Sequence, residues 1–190
     1  MEQPLVSVTV ITYNSSKTVL ETLDSIKTQT YQNIELIVSD DCSTDNTVEI
    51  CRNWIEQNKE RFVRTEILTE EKNTGTSANG NRAGAACKGE WVKPIAGDDL
   101  LMPNCIQDCM EYVREHAQII YLFGKQKAFG ASEERRKEID AVFDYTFFNM
   151  SHEEQLYRLV FGNNCVPATT VFYNREGAQK LGIKNDERIP

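Results

Sequence analysis

Along the first hundred residues, short apolar runs alternate with stretches in which apolar positions recur at helical spacing. Residues 4 to 14 read PLVSVTVITYN, an apolar run ending in a polar turn, which predicts a strand near 5–12. A helix-like stretch follows from about Ser16 to Thr28. Ile34-Glu-Leu-Ile-Val38 is short and rich in β-branched residues, the composition of a buried strand. Val48, Ile50, Cys51, Trp54 and Ile55 then fall at helical spacing, predicting a helix near 46–59 before a strand near 62–68. This alternation argues for a parallel sheet covered by helices on both faces.

The turn after the first strand separates the classes of nucleotide-binding fold. A dinucleotide-binding fold places G-x-G-x-x-G there, and a phosphate-binding loop needs G-x-x-x-x-G-K-[ST]. Residues 11 to 17 are Ile-Thr-Tyr-Asn-Ser-Ser-Lys, without a glycine, so neither applies. A nucleotide-dependent oxidoreductase fails on the same ground.

Acidic pairs end two of the strand-like runs. Asp40-Asp41 follows Ile34–Ser39, ahead of Ser43, Thr44 and Asp45, which are good N-cap residues for the next helix. Capping accounts for Asp45 or Thr44 and leaves Asp40 and Asp41 to accept hydrogen bonds from ribose hydroxyls or a base N–H. Asp98-Asp99 follows the apolar run Trp91, Val92, Ile95 and precedes Leu100, Leu101 and a helix start at Pro103. Adjacent carboxylates repel, and at the C-terminal edge of a sheet a divalent cation that presents itself to a phosphate relieves that repulsion. The plain alternative is a solvated acidic turn. Between these pairs, Asn73-Thr-Gly75 reads as a turn and Ser77 as a helix start. Asn79 is a candidate to hydrogen-bond a nucleotide, and Arg82 either counters a diphosphate or lies on a solvated helix face.

The series VSVTVITYN, ELIVSDDCSTDNT, EKNTG and KGEWVKPIAGDDLLMPN, in this order over about the first 105 residues, resembles the nucleotide-sugar domain of family 2 glycosyltransferases. The resemblance implies the GT-A fold, a Rossmann-like α/β/α sandwich with a mostly parallel central sheet. It also implies inverting transfer of a hexose from a nucleoside-diphosphate sugar, of the kind used in bacterial cell-surface polysaccharide biosynthesis. By motif, Thr12, Tyr13 and Asp41, with Asp40 beside them, correspond to the base-binding residues. Asp98-Asp99 corresponds to the family's DxD-type motif, Asp99 as ligand of Mn²⁺ or Mg²⁺ and Asp98 as a ribose or metal-water contact. Many members carry another Asp two positions before Asp98, where this chain has Ala96 followed by Gly97.

Under this reading the chain is a single domain, 1–102 the nucleotide-sugar half and 103–190 the acceptor half. The family's catalytic base usually follows a segment like Gly182 to Pro190, so the base is expected beyond Pro190, with Asp186 and Glu187 as weak candidates. Asn163, Asn164 and Thr169 are weak candidates for sugar contacts. UDP-sugars are favoured as donors, and a saccharide or lipid-linked molecule is the expected acceptor. A non-catalytic nucleotide-sugar-binding domain and a sugar nucleotidyltransferase remain alternatives, although the second lacks its Gly-rich basic loop.

The second half is less patterned. It predicts a helix near 104–116, a strand over Ile119–Phe123, a helix over Glu153–Phe161, and a strand ending near Tyr173 before a short helix to Leu181. Ser132–Glu138 is charged enough to be a solvated helix face or a flexible lid. A net charge of −8 argues against a nucleic-acid partner and makes a divalent cation useful for holding an anionic diphosphate. No apolar run reaches 18 residues, so no membrane span is expected. The expected location is the cytoplasm, with peripheral association at the inner membrane face left open. Six cysteines without a C-x-x-C pair, beside two histidines, give zinc little support. Cys105 and Cys109 share a helix face and read as small buried hydrophobes, and free thiols fit a reducing compartment.

Overall fold

The computed structural model describes residues 3–142, 145–161 and 168–188. Its chain forms two compact units, one of residues 1–122 with 172–190 and one of residues 123–171. The strands are β1 (Val6–Thr12), β2 (Ile34–Asp40), β3 (Arg64–Thr69), β4 (Trp91–Ala96), β5 (Tyr121–Phe123) and β6 (Val171–Asn174). They form one six-stranded sheet in the order β3-β2-β1-β4-β6-β5. The pairs β2–β3, β1–β2 and β1–β4 are parallel, while β4–β6 is antiparallel, so the expected mostly parallel sheet is found. Thr12 pairs with Asp40 and Ile11 with Ala96, and this register brings three strand ends to one edge.

In the first unit, alternation along the strands sorts side chains between two faces. Val6, Val8, Val10, Leu36, Val38, Trp91 and Ile95 face one side, where α1 (Val19–Lys27), α2 (Thr47–Asn58) and α4 (Cys105–Glu115) cover them. Leu23 and Ile26 of α1, Cys51 and Trp54 of α2, and Ile106 and Met110 of α4 complete this core. The other face packs α3 (Thr76–Ala86) over Ile37, Val92 and Cys87. There a charge replaces part of the apolar filling. The fully buried Glu35 accepts from the Ser7 hydroxyl at 2.5 Å, Arg64 Nη1 at 2.8 Å, and the Lys88 and Gly89 amides at 2.6 and 3.0 Å. Burial alone would raise this carboxyl, but these donors outweigh it and hold it below the ordinary glutamate range. The network ties β1, β2, β3 and the turn into β4 together. Gly89 is required there, because a Cβ would lie 2.6 Å from the Ser7 amide nitrogen.

α1 begins at Val19 rather than Ser16: Thr18, at φ −123°, leaves the helical region, and the turn before it is held by the Ser15 and Ser16 amides donating to Thr47 Oγ1 at 2.8 Å and to Asp45 at 3.2 Å. β6 leads into the short α7 (Arg175–Lys180), whose cap Asn174 accepts from the Gly177 amide at 2.8 Å.

The second unit contains α5 (Glu133–Val142), which takes up most of the charged 132–138 stretch, and α6 (His152–Phe161). Ser151 and Glu154 form a reciprocal cap at the start of α6: Ser151 Oγ accepts from the Glu154 amide at 3.3 Å, and Glu154 accepts from the Ser151 amide at 2.9 Å. Phe147 is buried and meets Phe148 edge-on, with ring centroids 5.4 Å apart.

Candidate functional site

Four connections converge at the C-terminal edge of β1, β2 and β4, where open α/β sheets hold ligands. They are the turn after β1, the β2–α2 turn, the 73–75 loop before α3, and the Gly97–Asp99 turn after β4.

The first two turns are laced together by polar side chains. Asp40, fully buried, accepts from Thr12 Oγ1 at 2.7 Å and from the Ser43 amide and hydroxyl at 2.8 and 2.6 Å. Asn14 accepts from the Thr44 amide at 2.8 Å, and its own amide donates to Ser43 Oγ at 2.8 Å. Asn14 and Cys42 both take positive φ, 52° and 67°. Asparagine tolerates that region, whereas for cysteine it is uncommon and is held by the surrounding bonds. Asp45 accepts from the Ser16 amide at 3.2 Å and from the Thr47 hydroxyl and amide at 2.5 and 3.0 Å, and hydrogen bonding from the Ser16 and Thr47 side chains, with their amides adding to it, brings its carboxyl down to about 2. The N-cap of α2 is Asn46 rather than Asp45 or Thr44, and Asp45, one residue earlier, ties the helix entry to the first turn.

Asp41 is the hub of the third connection. It accepts from the Thr74 amide at 2.8 Å, Thr74 Oγ1 at 2.6 Å, the Gly75 amide at 2.7 Å and Arg82 Nη2 at 3.0 Å. Burial works to raise this carboxyl, but the bonds from Thr74, Arg82 and Gly75 prevail and keep it below the ordinary aspartate range. Arg82 points inward rather than along a solvated helix face: it donates to Ser39 Oγ at 3.2 Å, Asn79 Oδ1 at 3.1 Å and Glu70 Oε1 at 3.1 Å as well. Asn79 is buried, with its amide nitrogen 3.3 Å from the Thr12 carbonyl. Gly75, at φ 89°, needs the freedom of glycine.

The fourth connection presents the paired carboxylates. Asp98 is exposed and Asp99 half-buried. Burial raises the Asp99 carboxyl, repulsion from Asp98 adds to this, and Lys93 opposes both. Gly97 lets the turn lie against the first one, since a Cβ there would meet Thr12 Cγ2 at 2.9 Å and Ser15 Oγ at 3.1 Å. The Gly97 carbonyl accepts from Thr18 Oγ1 at 2.8 Å, and its amide donates to Ile11 O at 2.9 Å.

Thr12, Tyr13, Asp40, Asp41, Asn79, Arg82, Asp98 and Asp99 thus lie on these connections or on α3, which the third one enters. Tyr13, 50% exposed, and Asp98 are the most open of them, whereas Thr12, Asp40, Asp41 and Asn79 are buried in mutual contacts. Ser43, Thr74, Asn14 and Gly97 join the site although their residue types do not mark them as ligand contacts, and only the left-handed tolerance of Asn14 hints at its role. Asp186 pairs with Arg188 at 2.6 Å, and Glu187 accepts from Asn81 of α3 at 2.9 Å. Thr169 Oγ1 donates to Gln126 at 3.0 Å, while Asn163 and Asn164 lie outside the described residues. Among the described residues no group of three or more His, Cys, Asp or Glu is arranged to hold a metal. Among them too, no helix is long and apolar enough to cross a membrane.

The profile described as Glycosyl transferase family 2 matches residues 7–182, and the chain belongs to this family. Glycosyltransferase GlyG of Streptococcus pneumoniae serotype 4 is 37% identical over 111 residues, which is 58% of this chain and 36% of GlyG. Among solved structures, S. aureus TarS 1–349 superposes with a TM-score of 0.74 at 22% identity, over 97% of this chain and 51% of that one. The same protein in complex with UDP-GlcNAc gives 0.70 at 25% identity, over 95% of this chain and 48% of that one. Mannosyltransferase PcManGT from Pyrobaculum calidifontis, in complex with GDP-Man and Mn²⁺, gives 0.69 at 20% identity, over 96% of this chain and 48% of that one. The fold is therefore that of GT-A glycosyltransferases, and the chain spans about half of these structures and about a third of GlyG.

Proposed function

We propose that this chain binds a nucleoside-diphosphate sugar, a UDP-sugar in preference, and serves a glycosyltransferase that moves the sugar to a saccharide or lipid-linked acceptor with inversion. Cell-surface polysaccharide synthesis is the setting the family suggests. The observation that carries the reading is the meeting of Tyr13, the Asp41–Arg82 pair and the Asp98-Asp99 turn at one sheet edge. The complexes of TarS with UDP-GlcNAc and of PcManGT with GDP-Man support it from outside this chain.

Within that site, Tyr13 offers an exposed ring to a base, while Asp40, Asp41, Asn79 and Arg82 shape the floor behind it. Asp98 and Asp99 suit a divalent cation: they are adjacent, one is open to solvent, and the pKa of the other is raised by burial and mutual repulsion that a cation would relieve. Magnesium and manganese sites of this kind take one or two carboxylates and complete their shell with phosphate and water. Bound there, the cation would stabilise negative charge on the departing diphosphate. Protein groups on that side then need not act as a general acid.

An acceptor hydroxyl attacking from the opposite face of the sugar needs a carboxylate base. Asp186 and Glu187 are both engaged with protein partners, and neither is assigned that role. The reading is tested by thermal unfolding with a panel of nucleotide sugars, with and without Mn²⁺. A binder at one hundred times its Kd stabilises by about 2.7 kcal/mol. Metal-dependent stabilisation by a UDP-sugar is expected, and its absence across the panel would remove the proposal.

A further inference from the structure

Residues 183–188 follow α7 and lie against α3. Their start is tied to α7, with the Ile183 amide donating to the Ala178 carbonyl at 3.0 Å. Beyond it, among the described residues, every hydrogen bond from 184–188 to the rest of the first unit ends on Asn81. The Asn81 side chain accepts from the Asn185 amide at 3.0 Å, and its Nδ2 donates to the Asn185 carbonyl at 3.0 Å and to Glu187 Oε1 at 2.9 Å. One side chain thus satisfies both backbone groups of Asn185. Gly80 lets the segment come close to the helix, since a Cβ there would meet Asn185 Nδ2 at 2.9 Å.

Asn81 stands between the two α3 residues that grip the candidate donor site. Asn79 donates to the Thr12 carbonyl at 3.3 Å, and Arg82 donates to Asp41 at 3.0 Å. α3 has little of its own to hold it in shape. It contains Gly80, Gly84, Asn79 and Asn81, all poor helix formers. Its N-cap, Gly75, offers no side-chain hydrogen bond, and of its residues only Asn79 and Ala83 are buried. A helix with so few buried apolar contacts opens locally at low cost, so its order depends on ties to its neighbours. On one side these are the bonds to Asp41 and the 73–75 loop, and on the other they are the bonds of Asn81.

We propose that Asn81 is a positioning residue that couples residues 184–188 to the donor site through α3. Order on either side of the helix then favours order on the other. Such coupling is reciprocal. Nucleotide binding, by firming the Asp41 loop, slows exchange in the segment, and a segment released from Asn81 weakens nucleotide binding. That consequence for nucleotide rests on the donor-site reading, whereas the tie between segment and loop does not.

The test is hydrogen exchange without nucleotide, read by peptide mass spectrometry on the whole folded chain, for the native protein and Asn81→Ala. Exchange should speed up in 184–188 and also in 73–79, which contain the Thr74 and Gly75 amides bonded to Asp41. The expected factor is about fivefold or more, the low end of coupling between linked sites. Alanine is a better helix former than asparagine, so a substitution acting on α3 alone would leave 73–79 unchanged or firmer. β1 and β2 should keep their native rates. Glu187→Ala, which leaves the sequence of α3 intact, should shift both regions the same way by a smaller factor. It decides alone if Asn81→Ala does not fold, as judged by circular dichroism. Native rates in 73–79, or a rise shared equally by β1 and β2, overturn the proposal. Calorimetry with UDP and Mn²⁺ reads the second consequence: Asn81→Ala should bind about fivefold more weakly, and an unchanged Kd overturns the coupling to nucleotide. A native chain that does not bind UDP would instead remove the donor-site reading, with the exchange result still deciding the tie between segment and loop.

Discussion

Asp41 and Arg82 meet at 3.0 Å, with side chains only 3% and 19% exposed, and each also bonds to Thr74. The pair fastens the 73–75 loop and α3 to the end of β2. Removing one partner of a buried pair strands the other, at a cost of about 3–5 kcal/mol. Asp41→Ala should therefore lower both stability and nucleotide affinity, with or without metal. Urea unfolding and calorimetry on the same preparations check this. Asp41→Asn refines the test: lost affinity at nearly unchanged stability indicates direct contact with base or ribose, and parallel losses indicate that Asp41 acts by holding the loop.

Tyr13 should behave in the opposite way. Half of its surface is open, so Tyr13→Ala is expected to change stability by no more than about 0.5 kcal/mol. If its ring stacks on the base, affinity should fall by about 1–3 kcal/mol, close to a tenfold loss or more. Titration with UDP and with a bare diphosphate separates the effects, since only UDP should weaken.

Acid sensitivity should trace to Glu35, far from the donor edge. Its folded pKa lies below the ordinary glutamate value of 4.5. The stability it contributes is thus complete above that value and is lost as pH falls through the depressed folded pKa. Glu35→Gln should flatten the fall in unfolding free energy below about pH 4.5 while costing stability at pH 7. Denaturant midpoints from pH 7 to pH 3 would show this as converging curves.

The strands of the first half were legible because their apolar runs are short, β-branched and bounded by polar turns, and the paired aspartates stood out because nothing local explained them. The turn at 15–18 was not, since Lys17 and Thr18 are compatible with a helix and the groups that hold the turn, Thr47 and Asp45 bonded to the Ser15 and Ser16 amides, are about thirty residues away. The antiparallel insertion of β6 between β4 and β5 depends on pairing Trp91 with Asn174, a separation no local pattern encodes. In the candidate site, residue type singled out Asp41 and Arg82 as candidates, but whether Arg82 faced solvent or the loop depended on tertiary contacts. Glu35 and Lys93 looked like ordinary strand positions, because a buried charge is intelligible only with its distant partners in view.

The central claim is that Asp98 and Asp99 hold a divalent cation through which the diphosphate is bound. The most direct measurement is calorimetric titration of UDP into the native chain and Asp99→Asn, each with Mn²⁺ and with chelator, after unfolding curves confirm that both are folded. The native chain should bind UDP more tightly with Mn²⁺ than with chelator, by at least about tenfold, or 1.4 kcal/mol. Asp99→Asn should bind equally weakly in both conditions. Equal affinity of the native chain with and without Mn²⁺, or an undiminished metal effect in Asp99→Asn, would contradict the account.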